Sequence, residues 1–253
     1  MFQTQRQDAI TALALRNERV DVADLAERFN VTSETIRRDL SELQAKRVLR
    51  RVHGGAVKWD ALRFEPLLSV RGDQQRDEKQ RIGLVAQQEL PEGDTILVDS
   101  GSTTAAFCEA LPTDRALTIV TNSIVNARVL ADRESINVML LGGTLRKNTM
   151  AAVDSRTVEA VRQLTVDTLF ISCDGMSIAR GLSTPYEHEA TLKAAMVQAA
   201  RRVVVLADHT KLDNDHLYRF ALWSDVDVLV TDEGVDGATA DELRRQVPAL
   251  HLA

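Results

Sequence analysis

Apolar residues in the first sixty positions recur at helical spacing, and in the rest of the chain they gather into short runs separated by further helical stretches. Ile10, Leu13 and Ala14 predict a helix over residues 6–16, ended by a break at Asn17–Arg19. Val22, Leu25, Ala26 and Phe29 fall at i, i+3, i+4 and i+7, a second helix with Asp21 as its N-cap. Asn30 suits the turn that follows, because asparagine tolerates a left-handed backbone, and Val31 is expected between the helices. Thr32 or Ser33 caps a third helix whose inner stripe is Ile36, Leu40 and Leu43. At about 100° per residue, Glu34, Arg38, Ser41 and Ala45 lie opposite that stripe, with Thr35, Arg37 and Glu42 on its flanks. Val48, Leu49 and Val52, then His53-Gly54-Gly55-Ala56-Val57, predict a strand, a glycine turn and a second strand.

Residues 58–78 show no clear period, and Pro66 bars a continuous helix, so the segment reads as a linker. A helix is expected over 78–89 and a turn at Pro91–Asp94. Apolar runs follow at 95–98, 117–120, 138–141, 168–171, 203–206, 226–230 and 250–252, with helical patterns near 104–111, 123–131, 155–164, 187–200 and 238–246. Fully apolar strands alternating with helices predict an α/β domain, a mostly parallel sheet covered on both faces. The expected organisation is 1–58, a winged helix-turn-helix; 59–77, a hinge; and 78–253, the α/β domain.

Composition narrows the class. Of the 253 residues 44% are hydrophobic and 27% charged, a globular balance, while 4% aromatics leave the core to aliphatic residues. There is no apolar run of about 18 residues and no signal-peptide pattern at the N-terminus. Two separated cysteines, Cys108 and Cys173, fit a reducing compartment, so a cytoplasmic location is expected. The net charge of -6 is unevenly spread. Residues 1–58 carry eleven basic and eight acidic residues, and 35–58 alone carry seven basic ones. A basic end on an acidic body suits DNA at that end, although a solvated helix face would give the same pattern.

Small and basic residues on the outer face of the third helix are what a major groove accepts. Arginine can grip guanine bidentately, and serine and threonine can reach either base type. The candidate DNA contacts are Ser33, Glu34, Thr35, Arg37, Arg38 and Ser41, with Arg50, Arg51 and His53 of the hairpin placed as a wing on phosphates. In the second domain the strand ends are polar or glycine-rich: Asp99-Ser-Gly-Ser-Thr-Thr104, Thr121-Asn122-Ser123, Gly142-Gly143, Ser172-Cys173-Asp174-Gly175 and Asp208-His-Thr-Lys211. Ligands of parallel sheets bind at that edge. The first loop reads either as an anion cradle at a helix N-terminus or as an ordinary helix cap. Together the five ends suggest a pocket for something small, hydroxylated and anionic, with Lys193 and Lys211 supplying positive charge.

The sequence resembles the DeoR family of bacterial sugar-metabolism regulators. The resemblance rests on Thr32-x-x-Thr35-Ile-Arg-Arg-Asp39-Leu40, on Leu49-x-Arg51-x-His53-Gly-Gly-Ala56 and on the strand-end motifs, together with Gly181-Leu-Ser-Thr-Pro185 and Glu189-Ala190-x-x-Lys193. It implies a sensor fold similar to ribose-5-phosphate isomerase that takes a phosphorylated sugar as effector, with no other cofactor. The effector residues it implies are Arg71, Lys79, Asp99, Ser102, Thr103, Thr104, Thr121, Asn122, Gly142, Gly143, Asp174, Lys193, Asp208 and Lys211. Arg71 and Lys79 would couple phosphate sensing to the hinge, Lys79 being alternatively a solvated helix lysine. Asp39 would be structural, pairing with or orienting Arg37 or Arg38, and His53 a turn or phosphate contact. The sequence departs from the family pattern at Ala152-Val153-Asp154, Cys173 and Leu212-Asp213, which bears on the shape of the pocket.

The expected function is a repressor of carbohydrate uptake and catabolism genes. It would hold a double-stranded operator as a dimer or tetramer and release it on binding a sugar phosphate. The alternatives are an activator responding to an unphosphorylated metabolite and an isomerase-like enzyme drawing on Asp99, Asp174, Glu189 and Asp208 as bases. Glu187, His188 and Glu189 are consecutive on a helix and point apart, so they make a poor metal site. No metal and no membrane partner are expected.

Overall fold

Helix α1 (Gln3–Asn17), strand β1 (Arg19–Asp21), helices α2 (Val22–Phe29) and α3 (Ser33–Ala45) and strands β2 (Leu49–Val52) and β3 (Gly55–Lys58) open the chain in a computed structural model that describes residues 2–17, 19–46, 48–52, 54–58, 68–91 and 95–253. The α2–α3 turn closes as the residue types dictate. Asn30 adopts φ 50°, ψ 53°, and its amide donates to the carbonyls of Ala26 and Glu27. Thr32 is the N-cap of α3, its hydroxyl accepting from the Thr35 amide at 3.2 Å. Ile10, Ala14, Leu25, Ile36, Leu40, Leu43, Leu49 and Ala56 form the core of this unit.

Two expectations for this region are corrected. Arg19 belongs to no simple break, because β1 pairs antiparallel with β3 and gives a three-stranded sheet in the order β1-β3-β2. A three-residue strand is too short to show alternation, and its partner lies far along the sequence. The sheet needs glycine at position 55, where a Cβ would come within 2.0 Å of the Val20 carbonyl oxygen. Asp39, in turn, pairs with neither Arg37 nor Arg38. It is buried against α1, where Arg6 Nε donates to it at 2.6 Å and Gln7 Nε2 at 3.3 Å, while Arg37 and Arg38 face Glu34 and Glu42. Position 39 lies on the inner side of α3 next to Leu40, so its carboxylate turns inward and needs a buried cation.

The chain divides into two units, Met1–Val70 and Arg71–Ala253. The segment expected to be irregular contains helix α4 (Leu68–Asp73), and helix α5 (Arg76–Val85) begins earlier than the predicted residue 78. Six residues are too few to reveal a period, and α4 starts just beyond Pro66, where a helix becomes possible again. A 3₁₀ turn (Ala86–Glu89) completes the stretch after α5.

The remaining elements are β4 (Thr95–Val98), α6 (Ser102–Ala110), β5 (Leu117–Thr121), α7 (Ile124–Ala131), β6 (Ile136–Leu140), β7 (Leu145–Arg146), β8 (Ala151–Ala152), α8 (Ser155–Arg162) and β9 (Val166–Ile171). They continue with β10 (Gly175–Ser177), β11 (Gly181–Thr184), α9 (Glu187–Ala199), β12 (Ala200–Leu206), β13 (Tyr218–Ala221), β14 (Val228–Thr231), α10 (Gly237–Gln246) and β15 (Ala249–Leu252). All seven predicted runs are strands of one parallel sheet, ordered β15-β14-β12-β9-β4-β5-β6. Alternate residues serve opposite faces. Leu97, Leu169, Ile171, Val203 and Val205 pack with Val158, Leu192, Met196 and Leu243 of α8, α9 and α10. Ile96, Val98, Phe170, Val204 and Leu206 pack with Ile82, Phe107 and Leu130 of α5, α6 and α7. Two-sided burial is why the strands read as unbroken apolar runs.

Two additions were not expected. A β7–β8 hairpin follows β6, and β10, β11 and β13 form a separate antiparallel sheet, with β13 and β11 packed against α9. Gly175 opens β10, where a Cβ would meet the Asn214 carbonyl oxygen at 1.5 Å.

Candidate DNA interface and effector cleft

On α3, Glu34, Arg37, Arg38 and Ser41 are exposed, and Ser33 and Thr35 are half-buried. All six share the side away from Ile36, Leu40 and Leu43. Their mutual contacts are ones that water or DNA can replace: Arg37 to Glu34 at 3.2 Å, Arg38 to Glu42 at 3.5 Å and the Ser41 hydroxyl to the Arg37 carbonyl at 2.7 Å. The hairpin is joined to the same helix. The Arg51 amide donates to Gln44 Oε1 and its guanidinium to Ser41 Oγ, each at 2.8 Å, so Arg51 sits beside the exposed face of α3. Arg50 is placed by its main chain, which pairs with Val57, and His53 lies outside the described residues. At the turn, Gly54 takes φ +81°, and its carbonyl accepts from the Val22 amide at 2.8 Å.

In the α/β unit, β4 leads outward through β5 to β6, while β9 leads the other way through β12 and β14 to β15. The order therefore reverses between β4 and β9, and ligands of open parallel sheets lodge beyond the strand ends at such a reversal. A small, partly open cleft lies there. Asp99, Ser100, Asn122, Glu189 and Lys193 provide its polar walls, and Val153, Leu192 and Met196 its apolar ones.

Lys193 donates to Asp99 Oδ2 and, at 2.9 Å, to the Ser172 carbonyl. Arg71 of α4 meets Asp174 at 2.8 Å, and the Thr184 hydroxyl donates to the same carboxylate at 2.7 Å. Glu189, four residues before Lys193 on α9, accepts from Arg146 at 3.1 Å and from Thr149 at 3.0 Å. Arg146 also lies 4.4 Å over the Tyr186 ring. Lys79 donates to the carbonyls of Arg71 and Gln74 and faces Asp208 at 3.9 Å.

Burial and pairing pull these groups in opposite directions. Burial lowers the Lys79 ammonium to about 8, with Asp208 resisting the fall. Burial alone would raise the Asp174 carboxyl, but Arg71, Lys193 and the Thr184 hydroxyl more than offset it and hold it down at about 2. Burial pushes Asp99 up, whereas Lys193 stays above its ordinary value, against burial, through Asp99, Asp174 and Glu189. Buried Cys108 and Cys173 have thiols raised by desolvation, which leaves them unreactive.

Of the residues singled out from the sequence, Asp99, Asn122 and Lys193 line the cleft. Asn122 Nδ2 donates to the Ala152 carbonyl at 3.0 Å, while its Oδ1 is buried and accepts no hydrogen bond from the described residues. Ser102 and Thr103 begin α6. The Thr104 hydroxyl donates to the Asp99 carbonyl at 3.0 Å, and Thr121 Oγ1 accepts from the Ser123 amide at 3.1 Å. Gly142 and Gly143 are exposed beside the start of α8, where the Gly142 carbonyl accepts from Thr157 and a Cβ on Gly143 would strike Thr157 and Asp154. Asp208 caps the 3₁₀ turn His209–Lys211, accepting from the Thr210 amide, and Lys211 is half-buried. Ser100 and Thr184 belong to motifs visible in the sequence, whereas Arg146 and Thr149 carry no sequence signal. The Glu189–Lys193 spacing was visible in the sequence, but nothing there pointed to the hairpin arginine.

Family models match both units, a DeoR-like helix-turn-helix domain over residues 6–61 and a DeoR C terminal sensor domain over 74–233. The chain belongs to the DeoR family. The Bacillus subtilis (strain 168) HTH-type transcriptional repressor GlcR is 32% identical over 245 residues, 97% of this chain and 94% of that protein. The glycerol-3-phosphate regulon repressor of Escherichia coli (strain K12) is 32% identical over 232 residues, 92% of each chain. Among solved structures, ribose 5 phosphate isomerase A from Neisseria gonorrhoeae covers 54% of this chain and 53% of its own, at 21% identity and a TM-score of 0.39. This DeoR-family protein is a helix-turn-helix transcription regulator with a sensor domain. No helix among its described residues is long and apolar enough to cross a membrane.

Proposed function

We propose that the protein represses genes for carbohydrate uptake and breakdown and that a phosphorylated sugar releases it from its operator. The observation that carries this reading is the cleft at the β4–β9 reversal, whose polar walls suit a hydroxylated ligand. Asn122 Oδ1 has an acceptor to spare, and Asp99 and Glu189 add carboxylate oxygens. The loop from Asp99 to Thr104 leads into the N-terminus of α6, whose amides suit a phosphate, and Lys211 adds charge. The relatives' names support repression, and one of those names specifies a glycerol-3-phosphate regulon.

In this reading α3 enters the major groove of a half-site, and Arg50, Arg51 and His53 brace on phosphates. Residues 1–58 read DNA, 59–77 act as the hinge, and 78–253 sense the effector. Two or four copies act together in the cytoplasm, because operator half-sites come in two-fold pairs. A hundredfold loss of DNA affinity on effector binding requires a coupling of about 2.7 kcal/mol, which one phosphate gripped differently in two states can provide through charge-assisted hydrogen bonds.

The test is fluorescence anisotropy on DNA from upstream of the protein's own gene, at about 150 mM salt, titrated with a panel of sugar phosphates. Specific binding reversed by one of them is the expected result. Specific binding unmoved by every compound removes the effector half of the reading, and the absence of specific binding removes the operator half.

A further inference from the structure

The charges around the cleft are matched before any ligand arrives. Among the described residues, Lys193 meets Asp99, Arg71 meets Asp174, Arg146 meets Glu189 and Lys79 faces Asp208, and all eight side chains are at most 16% exposed. The Lys211 side chain makes no hydrogen bond or ion pair among the described residues, its amide alone bonding the Asp208 carbonyl, but it is a single point charge. A phosphate dianion gripped here by a second cation has to take that cation from a carboxylate already holding it.

Arg71 is the cation whose transfer has a consequence along the chain. It lies on α4, the six-residue helix in which the two units meet in sequence. A guanidinium accepts phosphate in the same forked geometry as carboxylate, and it binds the dianion more strongly. Asp174 also has support waiting once it lets go. The Thr184 hydroxyl donates to its Oδ2 at 2.7 Å, so the carboxylate has a donor besides Arg71. A further hold on α4 is separate: Lys79 grips the carbonyls of Arg71 and Gln74 and need not move with the guanidinium.

We propose that Asp174 is a built-in stand-in for the effector's phosphate on Arg71. Bound phosphate displaces the carboxylate, and α4 loses the tether that joins Arg71 to Asp174. This rests on the sugar-phosphate reading above and adds how the ligand is sensed. It also sets the ligand's class. A sugar carrying only a carboxylate exchanges like for like at Arg71, whereas a phosphomonoester dianion wins the exchange.

The test uses the full-length protein with inorganic phosphate as the probe at neutral pH. Calorimetry measures its affinity for wild type, for Asp174→Asn and for Asp215→Asn. The last removes a nearby carboxylate that is bonded to Ser177 rather than to Arg71. Asp174→Asn should bind phosphate about tenfold more tightly, and Asp215→Asn should change affinity by less than about threefold. Hydrogen exchange at amides 71–76 should be faster in ligand-free Asp174→Asn than in wild type, and phosphate should speed it in wild type. If Asp174→Asn does not fold by circular dichroism, the wild-type exchange measurement decides alone. Weaker or unchanged phosphate binding in Asp174→Asn overturns the stand-in role, as does exchange that phosphate leaves unmoved in wild type, while the sensor reading survives either result. Binding by none of the three, with sugar phosphates equally silent, overturns both.

Discussion

The DNA-reading unit and the sensor unit both bury charge, but to different ends. In the first, the buried pair Arg6–Asp39 ties α1 to α3, and the candidate contacts with DNA stand outside it on the exposed face. In the second, the pairs Lys193–Asp99 and Arg146–Glu189 put Asp99, Lys193 and Glu189 into the wall of the candidate cleft, and Thr184 links Glu189 to the Arg71–Asp174 pair, so groups that stabilise the fold also line the cleft. Frame and function are separable in the reading unit and fused in the sensor. Substitutions should accordingly split cleanly in one unit and produce mixed effects in the other.

The largest effect expected is at the staple. Arg6→Ala leaves Asp39 buried without its cation and should destabilise the reading unit by about 3–5 kcal/mol, seen in chemical denaturation as an early transition while the sensor's stays in place. Replacing both partners, Arg6→Met with Asp39→Leu, should recover most of that loss. If it does not, the pair supplies more than neutralisation.

Lys79 offers a sharper test in the sensor. Its folded pKa, about 8, lies below the ordinary lysine value of 10.5. Below pH 8 the ammonium is charged in both states, and the folded state bears the cost of burying it. Above 10.5 it is neutral in both and that cost is gone. The sensor's stability should therefore rise across this window by about 3 kcal/mol relative to Lys79→Met, which lacks the titration. Parallel pH profiles for the two proteins would show that Lys79 keeps its charge without cost.

Arg38→Ala should weaken operator binding by about 1–3 kcal/mol at fixed salt with the melting curve unchanged, since the side chain is exposed. Unchanged binding would remove α3 from the groove. Lys211→Ala should leave DNA binding intact and raise the sugar phosphate needed for release about tenfold; a loss of DNA binding would make Lys211 structural. Smallest is Thr32→Ala, which removes the cap of α3 and should cost about 1 kcal/mol by thermal melting.

How legible each part was in the sequence follows from the range of the interactions that build it. The stripes of α2 and α3, the left-handed Asn30 and the seven parallel strands are written locally, in spacing and in apolar runs. Strand β1, the β7–β8 hairpin and the β10–β11–β13 sheet have two to four residues per strand, too few to leave a period to read, and β1 and β13 also pair with strands far along the chain. The same holds at the cleft. Asp99, Asn122 and Lys193 could be placed because they end a strand or sit one turn from Glu189. Arg146 and Thr149 reach Glu189 from a hairpin that could not be foreseen, and Arg6 reached Asp39 across a distance that i,i+3 and i,i+4 reasoning does not cover.

The bond from the Val22 amide to the Gly54 carbonyl has a mechanical consequence. The tip of the hairpin caps the start of α2, and β3 runs alongside the strand that feeds that helix. Together with the Arg51 bonds to Gln44 and Ser41, this ties the hairpin to both α2 and α3, so the hairpin acts as a ruler held at a constant offset from the exposed face of α3. With α3 in the groove as proposed, operator preference can be rewritten through Glu34, Arg37 and Arg38, which face water and leave the Arg51 bonds to Gln44 and Ser41 in place, so the offset between helix and hairpin stays the same.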